Sequence, residues 1–250
     1  MKITVIGELG RDVFVYGESK RLSPEAPVPV FTPLYTEENP GMAGNVVENL
    51  KAINESISIN FIHQHELITK TRYVDHKSNH MFMRVDEGEE KICKLVLNDT
   101  FVDMIKESDA VIVSDYNKGF LTEEVLNTIC ELSKFSIMDT KKKIDSNILS
   151  CFDFIKLNEN EFLSHTFNDD WLNKVLVTLG SRGAKYIDKI FPSPDPKETI
   201  DVSGAGDTFT ASFTLKYIET KDIEKSIIFA NEMASIVVSK RGVSTPKKIY

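Results

Sequence analysis

Three small residues, Gly204, Ala205 and Gly206, stand directly before an acid, Asp207, and the apolar run FTASFTLKYI that follows reads as a helix. Small residues at a helix start let consecutive backbone N–H groups point into one space, with the positive end of the helix dipole behind them. That arrangement is an anion hole. An acid at its rim can take a proton from a hydroxyl while the hole holds the charge that develops on a transferred phosphoryl group. Asp201, just upstream, could orient the loop. The same residues also fit a glycine-bearing turn in which Asp207 only caps a helix.

Other segments carry polar groups at places where a ligand could meet them. Asp12 lies just past the first apolar run and could accept two sugar hydroxyls, or be a solvated turn acid. Pro40-Gly41-Met42-Ala43-Gly44-Asn45 opens the next helical pattern, and its small residues let a polyol approach the backbone. Asn45 offers a donor and acceptors there, or serves as an N-cap. Asn158 and Glu161 have N-x-x-E spacing, which suits a metal-bound phosphate or a capped helix start. Thr178, Gly180 and Gly183 form a tight turn between two strand patterns.

The elements that must position these groups alternate. Strands are predicted at 2–7, 56–62, 109–115, 135–139, 153–158 and 173–180, with helices at 44–53, 122–133, 205–218 and 222–239. Such alternation predicts an α/β fold, a mostly parallel sheet covered on both faces. Ligands sit beyond the carboxyl ends of such strands, so Asp115, Asp139, Asn158 and Gly180 should converge on one cleft. Residues 13–33 and 69–95 break the rhythm and read as extended strands forming a small accessory sheet. Across 250 residues this is one domain, 1–250, carrying those strands.

Composition narrows the function classes. A net charge of −8 argues against a nucleic-acid surface. No run approaches the ~20 apolar residues of a membrane span, and the start of the chain is too short in apolar residues for a signal peptide. Cys93, Cys130 and Cys151 are odd in number and far apart, so they are expected to be buried thiols in a reducing cytoplasm rather than a zinc site or a disulfide framework.

Asp201-Val202-Ser203-Gly204-Ala205-Gly206-Asp207 resembles the D-T-G-A-G-D signature of the ribokinase-like (PfkB) carbohydrate kinases. That resemblance implies ATP and Mg²⁺ as cofactors, Asp207 as catalytic base, and Gly204, Ala205 and Gly206 as the hole for the transferring phosphate. It implies that Asp12, Gly41 and Asn45 bind sugar, although Met42 stands where the family has a second glycine. It places Asn158 and Glu161 around Mg²⁺, Glu161 through water, with Thr178, Gly180, Gly183 and Asn231 on the nucleotide. Gly242-Val243-Ser244-Thr245-Pro246 resembles the family's closing turn beside a monovalent-cation loop. The accessory strands become a β lid over the sugar, and they imply a homodimer formed through it.

Within the family, RLSPEAPVPV (21–30), TKTR (69–72), RVD (84–86), SDYNKG (114–119) and DTK (139–141) resemble the D-glycero-β-D-manno-heptose-7-phosphate kinases. That subgroup implies transfer to the anomeric hydroxyl of a heptose phosphate, on the way to lipopolysaccharide, with Arg72, Asp115, Lys118 and Lys141 around the substrate. The alternatives are a kinase for another sugar or nucleoside, and a catalytically weak sugar-phosphate-binding protein. Only seven residues separate Phe61 from Thr69, so the sheet is expected to be trimmed at one edge. Because the sequence stops at Tyr250, the expectation is a kinase step without an attached transferase domain.

Overall fold

A computed structural model describes residues 1–144, 146–166, 169–194, 204–238 and 245–246. The main sheet has eight strands in the order β12-β11-β10-β9-β8-β7-β1-β4. Its parallel part comprises β4 (Ser58–Ile62), β1 (Lys2–Gly7), β7 (Ala110–Asp115), β8 (Ser136–Thr140), β9 (Phe154–Asn158) and β10 (Val175–Thr178). The short strands β11 (Ala184–Tyr186) and β12 (Lys189–Phe191) finish it antiparallel. Strand β7 is buried along its whole length and β1 from Ile3 onward, as strands covered on both faces must be.

Two apolar cores explain the layering. On one face α1 (Ala43–Ile53), α6 (Ala205–Thr220) and α7 (Ile223–Val238) pack around Val46, Leu50, Phe209, Phe213 and Ile227. On the other, α2 (Asp99–Glu107), α3 (Glu123–Leu132), α4 (Ser146–Cys151) and α5 (Glu159–Leu163) surround Ile105, Leu126, Ile129 and Phe152. Helix α6 is buried from Asp207 through Leu215, so it shows no apolar stripe. Its hydroxyls turn inward onto its own backbone: Thr208 donates to the Gly204 carbonyl, Thr210 to that of Gly206 and Thr214 to that of Thr210. Helix α2, capped by the Asn98 side chain, was not among the sequence-predicted elements.

The second sheet has the order β3-β2-β5-β6, with β2 (Leu9–Leu22), β3 (Pro29–Met42), β5 (Ile68–Asp75) and β6 (Met81–Glu87). It begins earlier and ends later than 13–33: β2 leaves β1 after a single residue, and β3 runs into α1. Asp12 therefore lies within a strand rather than a turn, and Pro40-Gly41-Met42 end a strand rather than form a loop. The prolines of β3 are tolerated because it is an edge strand with one side unpaired. At the other end, 88–95 hold a 3₁₀ turn, Glu89–Lys91, in place of further strand. Strand β4 is the outer strand of the main sheet, and the chain passes from it directly to β5 in the second sheet.

The cysteines correct the sequence reading. Cys130 at the end of α3 and Cys151 at the end of α4 are joined in a disulfide, and Cys93 is exposed rather than buried. Packing of α3 against α4 brings together two residues that chain spacing gave no reason to pair.

Candidate active site

The parallel register places the site. Ser114, Asp139 and Lys156 are consecutive partners across β7, β8 and β9, one or two residues from the carboxyl ends of the strands. Neighbouring strands thus hold Asp139 and Lys156 side by side, and the Lys156 ammonium donates to Asp139 Oδ2 at 2.8 Å. Burial pulls the Lys156 ammonium down, but the charge of Asp139 and this hydrogen bond outweigh it, leaving its pKa raised. Thr210 Oγ1 donates to the same Asp139 oxygen at 3.3 Å, fastening α6 to the strand ends.

Asp207 stands in the first turn of α6, only 5% exposed. Gly204 caps the helix at φ 83°, a conformation that favours glycine. A Cβ on Gly206 would come within 2.7 Å of Lys156 Nζ, so only glycine lets the ammonium lie against this turn. The first N–H groups of a helix have no partner within it, which leaves those at the start of α6 to meet an anion. Asp207 Oδ2 accepts from Asn45 Nδ2 at 2.8 Å, and Oδ1 accepts from the Tyr116 hydroxyl at 2.9 Å. Burial and the nearby charge of Asp139 push the Asp207 carboxyl up to about 6, against the lowering effects of Asn45, Lys156 and Tyr116. A carboxylate poised there is ionised at neutral pH and basic enough to take a proton from a hydroxyl in the transition state. Asn45 is itself fixed by Asn49, whose Nδ2 donates to the Asn45 carbonyl at 2.7 Å and whose Oδ1 accepts from Thr208.

Two adjoining cavities meet at Gly206. One, of about 100 Å³, is lined by Asp115, Tyr116, Asp139, Lys156, Glu161 and Asp207, among others. The larger, of about 410 Å³, is walled by Thr178, Gly180, Gly183, Ala205, Phe209 and Asn231, among others. Lys141, Lys156, Asn158 and Gly206 line both. The second is large enough for a nucleotide, and its mixed wall suits an aromatic base with a polar tail. Asn231 is held to that wall by donating to the Phe191 carbonyl at 2.8 Å. Asn158 and Glu161 form a capping box on α5: Asn158 Oδ1 accepts from the Glu161 N–H, and Glu161 Oε2 from the Asn158 N–H. The capping reading of these two is what the structure shows, and both also face the small cavity.

Asp12, Gly41, Arg72 and Lys118 do not line either cavity and gather on the side of the second sheet. Arg72 donates to Asp12 Oδ1 at 2.5 Å and lies over Phe14, while Gly41 packs directly on the Asp12 carboxylate. Lys118 pairs with Glu89 at 2.6 Å, and Asp115 is held by Thr140 at 2.9 Å and Lys142 at 3.2 Å. The Lys141 ammonium lies 4.1 Å from the centre of the Tyr116 ring. Met42 takes φ 57° where a glycine would be unstrained, but its side chain is buried against Gly10 and lines neither cavity. Asp201 and Gly242, Val243 and Ser244 lie outside the described residues.

Three residues of this region escaped the sequence reading as site residues. Lys156 and Tyr116 sit inside the motifs KLN and SDYNKG, which signalled their neighbours instead. Glu8, wholly buried, accepts from the backbone N–H groups of Tyr116 and Lys118 at 2.9 and 3.0 Å. Burial and the charge of Asp115 raise its pKa. Among the described residues no cluster of three or more His, Cys, Asp or Glu could hold a metal by itself; Mg²⁺ is held mainly by phosphate oxygens and water. Asn158 and Glu161, with Asp139 beside them, are the groups that would hold Mg²⁺ in that manner. When bound, it would neutralise phosphate charge.

Comparison with known proteins gives the family and the fold. Residues 51–249 match the family model described as pfkB family carbohydrate kinase. The bifunctional protein HldE of Helicobacter pylori strain J99 is 34% identical over 96% of this chain, and that of Nitratiruptor 31% over 98%. The chain spans 63% of the length of each of these relatives. A ribokinase from Thermotoga maritima superposes with a TM-score of 0.73 at 20% identity, covering 96% of this chain and 94% of that one. Arabidopsis thaliana ribokinase, solved with ribose and ATP, gives 0.67 at 17%, covering 96% and 93%. The fold is that of the ribokinases, and the chain belongs to the pfkB family of carbohydrate kinases.

Proposed function

We propose that this chain, as one kinase unit over 1–250, transfers the γ-phosphate of ATP to a hydroxyl of a phosphorylated sugar, foremost the anomeric hydroxyl of D-glycero-D-manno-heptose 7-phosphate. The observation that carries it is Asp207, buried at the start of α6 where the two cavities adjoin. ATP fills the larger cavity. Asp207 accepts the proton of the acceptor hydroxyl as its oxygen attacks the γ-phosphorus in line. The bond to the β-γ bridging oxygen breaks and ADP leaves. The N–H groups at the start of α6 and the Lys156 ammonium hold the charge on the transferring group.

The finer substrate rests on the 31–34% identity to HldE chains and on cations near Tyr116. Lys70, Lys118 and Lys141 crowd there: burial first, then the charges of Lys141 and Lys118, lower the pKa of Lys70. Lys70 joins Arg72, Lys118 and Lys141 among the cations that would grip a distal phosphate, Arg72 being paired with Asp12 and Lys118 with Glu89 before it binds. Two charge-assisted contacts imply a preference of about a hundredfold or more for phosphorylated over free sugar. The test is kcat/KM for heptose 7-phosphate, free heptose, ribose and fructose phosphates, read as ADP release. Equal rates on free and phosphorylated heptose reject the phosphate grip. A clear win for ribose or a fructose phosphate rejects the heptose while leaving the kinase.

The same proposal includes a homodimer through the lid. Among the described residues both edges of the second sheet are unpaired, and Leu34 and Tyr35 on β3 and Met81 and Met83 on β6 are exposed. Open edges with apolar side chains invite a second chain. Light scattering at micromolar concentration should give twice the chain mass of 28.3 kDa; a monomer there counts against the dimer. No helix among the described residues is long and apolar enough to cross a membrane, and action in the cytoplasm on a small-molecule substrate belongs to this proposal. So does a monovalent cation, which potassium-dependent turnover would reveal.

A further inference from the structure

Asp207 is held by two donors, one on each oxygen: Asn45 on Oδ2 at 2.8 Å and Tyr116 on Oδ1 at 2.9 Å. Asn45 belongs to α1, in the same core as Asp207, but Tyr116 comes from the loop after β7. That loop is unusually well fastened. The buried Glu8 carboxylate accepts the N–H groups of both Tyr116 and Lys118, and Asp115 Oδ1 accepts that of Asn117 at 2.9 Å. Asn117 takes φ 57°, which turns the chain so that all three amides face inward. At its far end Lys118 reaches Glu89, just past the last strand of the second sheet. Above the Tyr116 ring lie Lys141 at 4.1 Å and Lys70 of β5 at 5.8 Å.

We propose that Tyr116 is a positioning residue for Asp207, its hydroxyl fixing the plane of the carboxylate so that a free lone pair faces the acceptor hydroxyl. The Glu8 clamp holds the tyrosine, and the tyrosine holds the base. The inference rests on Asp207 being the base. A carboxylate held on one oxygen alone can rotate about its side-chain bond, whereas donors on both oxygens stop it. The hydrogen bond also favours the ionised form, opposing burial and the charge of Asp139. The charged and titratable groups facing this pair are Asp115 at the end of β7, Asp139 on β8, Lys141 after it, Lys156 on β9, Glu161 on α5, and Asp12 and Lys70 from the second sheet. All of them stay in place when the phenol loses only its oxygen.

Tyr116→Phe keeps the ring beneath Lys141 and removes the hydroxyl. The chain is labelled with carboxyl-¹³C aspartate, and the Asp207 signal is assigned by its disappearance in Asp207→Asn. In the parent it should titrate at about 6, and in Tyr116→Phe about one unit higher, because a donor to the charged form is gone. With ATP and the acceptor found in the ADP-release screen, kcat at pH 6 should fall about fivefold, with the deficit narrowing towards pH 9 and the KM for ATP unchanged. Coincident titrations of parent and Tyr116→Phe overturn the proposal, as does a kcat that is unchanged at every pH. An active Asp207→Asn would reject the base assignment instead, and the titration would still decide whether Tyr116 holds that carboxylate.

Discussion

Asp207→Asn lowers turnover by about 10²–10⁴-fold, the contribution of a positioned general base, and makes the folded chain more stable at neutral pH. The two effects share one cause. Asp207 is buried beside Asp139, and its carboxyl is raised from the ordinary 3.8 to about 6. Between those values the folded chain binds more protons than the unfolded one, so stability falls as pH rises through that window. Some two units correspond to at most about 3 kcal/mol at pH 7. Asparagine removes the charge but presents an amide, and Asn45 already donates to that oxygen position, so part of the gain is lost to a donor–donor contact. The expected outcome is a gain of about 1–2 kcal/mol at pH 7 that vanishes below pH 4, read from urea unfolding at both pH values. A variant with near-normal turnover would remove Asp207 from the base role. One destabilised equally at both pH values would show that its burial carries no electrostatic strain.

Lys156→Met is expected to damage both stability and turnover. The Lys156 and Asp139 side chains are 8% and 15% exposed, and their ammonium and carboxylate are 2.8 Å apart. Removing one partner of such a pair leaves the other charge in a poor solvent, a loss of about 3 kcal/mol. The charge of Lys156 also opposes the rise of the Asp207 pKa, so without it the base protonates at higher pH and the acid limb of the rate profile moves up. Lys156 lines both cavities against the Gly206 turn, where it stands beside any group passing between them. Losing such a fixed cation from the path of transfer costs about 10²–10³-fold in kcat. An unfolding midpoint and kcat both within twofold of the parent would rule out both roles.

The sequence alone determined the parts whose signals are local. Buried strands such as β1 read as apolar runs, Thr122 announced α3, and the alternation of strand and helix fixed a mostly parallel sheet. Gly204-Ala205-Gly206-Asp207 was legible as a helix start because three small residues and an acid lie in one turn. Tertiary structure decided what depends on register and on contacts between distant segments. Lys156 and Asp139 meet only because β8 and β9 pair in one register. Tyr116 reaches Asp207 only because the buried Glu8, 108 residues before Tyr116, binds its loop. Arg72 was read as a phosphate cation from its motif, and its contact with Asp12 comes only from the pairing of β2 with β5. Cys130 and Cys151 were read as separate thiols, yet the packing of α3 on α4 joins them. Periodicity reports which face of an element is buried. It carries no information about which buried charge stands opposite another, because that is set by strand order and register over the whole chain.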